Sequence, residues 1–239
     1  GRFTHPTLTP YPYDPKAAAD YFAQAGYTQR GADGILTNPN THERLSITVT
    51  AADGPLTGVL MILKEEALKA GLDLNLDILE GTTAFKKISE KKHQACFMAF
   101  NTSVERYPRY WEMFHSANAH PQTNNLCNLS DKEIDALIER YDREVDETQI
   151  EKLSHELQER IHAQAIYLPA FMKPWYRIGY WRYLRFPEGF DVKVSRSPTE
   201  SGLFWIDPAL KSETAEALRQ GKKFEMTTRT FDQWHPSSK

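Results

Sequence analysis

YDPKAAADYFAQAGY, residues 13–27, is a helix with both of its ends written into the sequence. Asp14 can accept from the first free backbone amides, and Pro15 suits the first helical position because the N–H it lacks would have no partner there. Alanines carry the turns, and Gly26 supplies the left-handed residue that ends them. Alone, such a segment describes any well-capped surface helix. The strands and helices after it decide the fold.

Leu45, Ile47 and Val49 alternate with polar neighbours, the period of a half-buried strand. Val59, Leu60, Ile62, Leu63, Ala67 and Leu68 then keep helical spacing, and Gly71 stops that helix. Leu72, Leu74, Leu76 and Ile78 alternate again. Thr82 or Thr83 is expected to cap a short helix carrying Phe85 and Ile88, and Cys96, Met98 and Phe100 form a third alternating run. Strand–helix–strand–helix–strand at these lengths predicts two right-handed crossover units on a mostly parallel sheet.

The next region reads as helical. Ser130 and Glu133 have capping-box spacing ahead of an apolar stripe of Ile134, Leu137, Ile138 and Tyr141. A second helix carries Ile150, Leu153, Leu157, Ile161 and Ala165. Pro169 then forces an extended segment with Ile166, Leu168 and Phe171. After about Met172 the composition shifts to the aromatic and basic KPWYRIGYWRYLRF, then to a loop-like stretch and, from about Gly221, an extension-like tail.

At 239 residues and 40% hydrophobic content, with 5 Trp, 11 Tyr and 12 Phe, the chain can build a core and is not a disordered composition. A net charge of -3 argues against nucleic acid or an anionic membrane as the main partner. No apolar run reaches the roughly 18 residues of a membrane span. Cys96 and Cys127 lack metal spacing and are too few for a disulfide framework, so both are expected as free thiols. Two formal glycosylation sequons, Asn101-Thr102-Ser103 and Asn128-Leu129-Ser130, are read as incidental.

His155-Glu156-Leu157-Gln158-Glu159 begins like a zinc-protease helix, but Glu159 stands where the second imidazole is required. His155 and His162 are therefore expected to face solvent. No P-loop, dinucleotide fingerprint or nucleophile elbow occurs, so an enzyme has no positive support and neither metal nor cofactor is expected. Arg177, Arg182 and Arg185 alternate with Trp175, Tyr176, Tyr180, Trp181 and Tyr183. That pattern fits sheet strands better than a stacking surface for single-stranded nucleic acid. The loop from Asn101 to Tyr110 is the leading binding candidate, because it comes after the carboxyl end of a strand in an α/β sheet.

The helix at residues 13–27 with DGIL (33–36) after it resembles the segment that opens the second lobe of the extracytoplasmic solute-binding proteins of the peptide/nickel/opine class, family 5. These are the substrate-capturing subunits of ABC importers. Later segments are similar in order: LKAGLDLNLDIL, TTAFKKI, ACFMAF, YPRYWEMFHS, NLCNLSDKEIDALIERYDREVD and LQERIHAQAIYLPAFM. GLFWIDPALKSE (202–213) is most similar to the YejA-like branch, which takes up microcin C and peptides.

The resemblance implies an α/β fold: one lobe of a two-lobed periplasmic-binding-protein-type architecture, with a mixed sheet and flanking helices. Residues 1–172 would form the second, carboxy-terminal lobe. Residues 173–239 would return to a first lobe carried by an amino-terminal portion beyond this chain, as members are longer and begin with a signal peptide. It implies a periplasmic or surface-anchored protein that captures a peptide-like ligand between its lobes and docks on an ABC permease. An oligosaccharide or modified peptide as ligand, or a ligand-free interaction module, are the alternatives.

In the family the loop after the third strand faces the cleft, and in many peptide-binding members it carries an aspartate that pairs with the peptide amine. Here that stretch is Asn101-Thr102-Ser103-Val104, and Glu105 is the nearest carboxylate. The expected ligand-binding residues are therefore Asn101, Thr102, Ser103 and Glu105, with Trp111, Trp175 and Tyr176 as cleft walls.

Overall fold

The structure, a computed structural model, describes residues 2–100, 107–171, 177–187 and 204–230. Helix α1 (Pro15–Gln24) begins as its sequence predicts: the Asp14 carboxylate accepts from the Lys16 and Ala17 amides at 3.0 Å each. Gly26, at φ 91°, ends the turn. The chain then makes a small antiparallel pair, β1 (Gln29–Arg30) with β2 (Leu36–Thr37), and enters β3 (Ser46–Ala52).

Strand β3 is the middle of a three-stranded parallel sheet, between β4 (Asp73–Leu79) and β5 (Ala95–Phe97). Its pairing with β4 runs from Ser46↔Asp73 to Ala52↔Leu79, and with β5 from Val49↔Ala95 to Ala51↔Phe97. Among the described residues, antiparallel pairing is confined to separate ribbons and a bridge between Thr37 and Arg44. Helix α2 (Thr57–Ala70) connects β3 to β4, and α3 (Gly81–Ser89) connects β4 back across β3 to β5. One crossover steps outward and the other returns, so right-handed connections put α2 and α3 on opposite faces of the sheet.

Three local expectations need correction here. The central position of β3 buries Thr50 and Ala51 from both sides and leaves Ile47 exposed, so the alternation that placed Ile47 inside fails. Of the apolar stripe on α2 only Leu60 is buried, while Ile62, Leu63 and Leu68 are exposed. The cap of α3 is Glu80, whose carboxylate accepts from the Thr83 amide at 3.1 Å, and not Thr82 or Thr83. On that helix Ala84 and Ile88 are buried but Phe85 is exposed. Gly71 does end α2, at φ 96°, with the chain so close to Leu36 that a Cβ would lie 2.6 Å from its Cγ.

After the short α4 (Trp111–Phe114) come α5 (Lys132–Arg143) and α6 (Glu147–Ala163), joined by a tight turn as an antiparallel hairpin. The predicted stripes meet: Ile134, Leu137, Ile138 and Tyr141 pack with Ile150, Leu153, Leu157 and Ile161 around Tyr110 and Leu129. The cap of α5 is Asp131, one residue beyond the expected Ser130, accepting from the Glu133 and Ile134 amides. Glu133 is left free to pair with Arg160 of α6. Ala165 lies past the end of α6 at φ 51°, and Leu168 and Phe171 are exposed.

His155 and His162 do not face solvent as expected. His155 meets the His5 ring edge-on at 5.2 Å, and His162 stacks under Tyr11 at 4.4 Å, because residues 2–11 run over α6. Lys91 and His93 are likewise drawn in. Lys91 Nζ donates to the Thr123 and Asn125 carbonyls at 3.0 and 2.8 Å, and burial lowers its pKa. Asn125, fully buried, accepts from the Leu129 amide and donates to the His115 and Leu129 carbonyls, which fixes the loop ahead of α5.

These elements form one compact unit, residues 1–99 with 107–169; residues 100–106 with 170–239 form a second. In the second, β6 (Leu184–Arg185) pairs antiparallel with β7 (Trp205–Ile206), which leads through the Asp207 cap into α7 (Pro208–Arg219). Arg182 pairs with Glu213 of α7 at 2.9 Å and lies 3.9 Å over the Phe224 ring.

Candidate functional site

In an open parallel sheet all carboxyl ends fall on one edge, and ligands bind where the connections diverge. Here that edge is formed by the ends of β3, β4 and β5. Asp53 carries the ladder one step past β3, its amide donating to the Leu79 carbonyl at 2.8 Å. Asp53, Ile78, Leu79, Glu80 and Gly81 line an open depression of about 610 Å³. Its lining joins the apolar end of β4 to the carboxylate-bearing Asp53 and Glu80, which flank it in sequence.

The rim is shaped by local capping. Thr57 Oγ1 donates to the Gly54 carbonyl at 2.8 Å and accepts from the Gly54 amide at 3.2 Å, which fixes the turn between β3 and α2. Amides of Thr82 and Thr83 hold the Glu80 carboxyl below its ordinary pKa. Behind the rim, Asp77 of β4 accepts from Lys87 Nζ at 2.7 Å and from Thr50 Oγ1 at 3.0 Å, joining α3, β4 and β3. The Lys87 ammonium, chiefly, holds the Asp77 carboxyl below the usual carboxylate range.

Sequence reasoning missed Asp53 and Glu80. Their signal was position: each comes directly after a strand. Of the expected ligand-binding residues, Asn101, Thr102, Ser103 and Glu105, with Trp175 and Tyr176, lie outside the described residues. Trp111 is described. It opens α4, is 43% exposed, stacks on His115 at 5.4 Å, and is not among the residues lining the depression.

The chemistry this edge offers is recognition. Strand ends present backbone donors and acceptors, and the rim presents carboxylates and hydroxyls. Among the described residues no group of His, Cys, Asp and Glu is arranged to hold a metal ion, and no helix is long and apolar enough to cross a membrane. Cys96 and Cys127 are free thiols, both pushed up in pKa chiefly by burial.

Known proteins share this architecture. Residues 3–121 match the bacterial extracellular solute-binding proteins, family 5, middle region. The oligopeptide-binding protein AppA of Bacillus subtilis is 20% identical over 107 residues, which are 45% of this chain and 20% of AppA. AppA solved in complex with a nonapeptide superposes with a TM-score of 0.64 at 20% identity, covering 84% of this chain and 40% of that one. NikZ of Campylobacter jejuni, in complex with Ni(L-His), gives 0.60 at 18% identity, over 70% and 34% of the two chains. A mannohexaose-bound periplasmic oligopeptide-binding protein of Thermotoga maritima gives 0.59 at 16%, over 66% and 31%. The chain thus spans less than half the length of the relatives it matches. The doubly wound sheet, the capped helices around it and the match over residues 3–121 agree: the chain belongs to family 5 of the bacterial extracellular solute-binding proteins.

Proposed function

We propose that this chain supplies one lobe of the solute-binding subunit of an ABC importer, working outside the cytoplasmic membrane, and that it captures a peptide-like solute. The observation that carries this reading is the parallel sheet whose carboxyl edge holds an open, polar-rimmed depression, in a chain of this family. The mechanism is closure. Residues 1–172 form one wall, residues 173–239 return to the other lobe, and the closed form docks on the permease. Extended ligands pair through their main chain with a strand edge, which tolerates varied side chains. Asn101, Thr102 and Ser103 provide hydrogen bonds, Glu105 a carboxylate, and Trp111, Trp175 and Tyr176 apolar walls.

Replacing Asn101-Thr102-Ser103 by three alanines in the full-length protein tests this reading. Calorimetry with a peptide panel should show weakening by several-fold to about a hundredfold, at ~0.5–1.5 kcal/mol per lost hydrogen bond. Lys92→Ala, at an exposed site on the opposite edge, should leave affinity unchanged. Undiminished binding by the triple variant moves the cleft elsewhere.

A second reading has a specific observation behind it. The Thermotoga maritima neighbour holds mannohexaose on the same fold, so an oligosaccharide or modified peptide is the alternative ligand, with the aromatic walls stacking on sugar faces. A large thermal shift of the full-length protein with an oligosaccharide panel and none with peptides would establish it. No shift with either panel would favour a ligand-free interaction module.

A further inference from the structure

Strand β4 is paired on one side only: among the described residues its strand partner is β3 alone. Its sequence, DLNLDIL, contains no proline, glycine or lysine, and all seven residues run in register without a bulge, so most of the devices that blunt a sheet edge are missing. Each of the seven is half-buried, where Thr50 at the sheet centre is buried completely.

The ladder decides which groups this edge offers. The Asp73 amide donates to the Leu45 carbonyl at 2.9 Å, and the Leu79 carbonyl accepts from the Asp53 amide at 2.8 Å. Asp73, Asn75, Asp77 and Leu79 therefore turn their main-chain groups toward β3, and Leu74, Leu76 and Ile78 turn theirs outward. Side chains divide the same way. Asp77 meets Lys87 of α3, and Asn75 donates to Ser46 Oγ at 2.9 Å, which sets the odd-numbered residues on the α3 face. Leu74, Leu76 and Ile78 stand on the other face, where α2 packs with Met61, Ile62, Leu63 and Leu68 exposed.

We propose that β4 is a self-association edge. A second copy of this chain lays its own β4 antiparallel to the first across a two-fold axis at Leu76, joining the two three-stranded sheets into one.

Charge selects both the partner and the register. With Leu76 opposite its own copy, Leu74 faces Ile78, Asn75 faces Asp77, and the whole strand pairs. The outward groups then exchange about six main-chain hydrogen bonds. Lys87 and Thr50 both bond to Oδ2 of Asp77, so its Oδ1 can accept from the facing Asn75 amide. Moving the axis by one residue sets Asp77 against its own copy or against Asp73, and like charges directly opposite destabilise a strand pair. Moving it by two leaves most of the strand unpaired. On the other face the leucines and Ile78 of both copies form one apolar row. The axis is perpendicular to the sheet, so both α2 helices flank that row, and their exposed apolar residues gain a surface to cover.

Sedimentation velocity of the full-length protein from about 1 to about 200 µM tests the edge, with residue-level amide exchange beside it. A monomer–dimer equilibrium should appear. As the dimer forms, the Leu74, Leu76 and Ile78 amides should gain protection, while those of Asp73, Asn75 and Asp77 keep what they have. Asn75→Asp sets an acid against Asp77 of the copy twice over. It should weaken the dimer about tenfold at low salt, with most of the loss recovered at about 0.5 M salt. A protein that stays monomeric overturns the proposal, whether the edge amides exchange freely, are protected at every concentration by another part of the chain, or become protected only when a peptide is added. A dimer that leaves those three amides unprotected, or that Asn75→Asp leaves equally tight, overturns it too. If Asn75→Asp does not fold, the concentration dependence of the three native amides decides alone.

Discussion

The α5–α6 hairpin and helix α2 both carry apolar residues at helical spacing, yet one set is covered and the other is not. In the hairpin Ile138 and Leu157 are 0% exposed, and every predicted stripe residue from Ile134 to Ile161 is buried. On α2 Leu60 is buried, while Ile62 is 64% exposed with Met61, Leu63 and Leu68 beside it. The hairpin's two stripes face each other across a short turn, so each helix supplies the other's cover. Helix α2 lies on a sheet of three strands, a platform wide enough for one row of its side chains. Periodicity reports which residues share a face. Whether that face is covered depends on what the rest of the fold places opposite it.

The comparison is broken most severely by Leu157→Ala. It removes buried methyl groups from the centre of the hairpin, where surrounding helices cannot close the gap, and should cost about 2–5 kcal/mol in chemical denaturation. A loss no larger than that of a surface residue would mean that the hairpin is not the core of its unit.

Gly71→Ala should come next, at roughly 1–3 kcal/mol, because it forces a left-handed alanine against the Leu36 side chain. The Gly71 carbonyl also accepts from the Leu36 amide at 2.8 Å, so the strain falls where β2 is tied to the start of β4. Thermal unfolding of the variant measures it.

The Asp77–Lys87 pair sharpens the sheet side of the comparison. Lys87 lowers the Asp77 pKa, so the pair's stabilisation is full above the unfolded carboxylate value of about 3.9. It is lost as pH falls from there through the lower folded value. Urea titrations of the native chain and Asp77→Asn should differ by about 1 kcal/mol or less near pH 7 and converge once the pH falls below the lowered folded value. A gap that widens on acidification would reverse the assigned sign.

Ile62→Ala should have the smallest effect, within about 0.5 kcal/mol, because the side chain it shortens is already in water. A cost comparable to Leu157→Ala would show that the α2 face is covered in solution.

Much of the fold was legible because its signals are local. Asp14 and Gly26 delimit α1 through contacts within a few residues, and the alternating and helical runs from Leu45 to Phe100 are enough for two crossovers. Where local signals competed, the sequence was ambiguous. Ser130 and Asp131 are both good caps, and Thr82, Thr83 and Glu80 all lie at the start of α3; backbone geometry selected Asp131 and Glu80. The candidate site was legible as an edge. Asp53 and Glu80 stand at the carboxyl edge of the sheet, but no motif distinguishes them from other loop acids.

Sequence alone determined α1, the strand–helix–strand–helix–strand order, the sheet's mostly parallel character and the two meeting stripes of the hairpin, since each comes from the spacing of residues close along the chain. The aromatic run at 177–183, read as strands, carries none. Only the tertiary structure decided that β3 is the central strand and buries Thr50, that α2 keeps its apolar row in the open, and that His155 and His162 lie under residues 2–11. Those outcomes rest on contacts between residues far apart in the chain: Thr50 with Asp77, His5 with His155, Tyr11 with His162. No periodicity encodes such pairs, because burial is a property of what arrives from elsewhere in the fold.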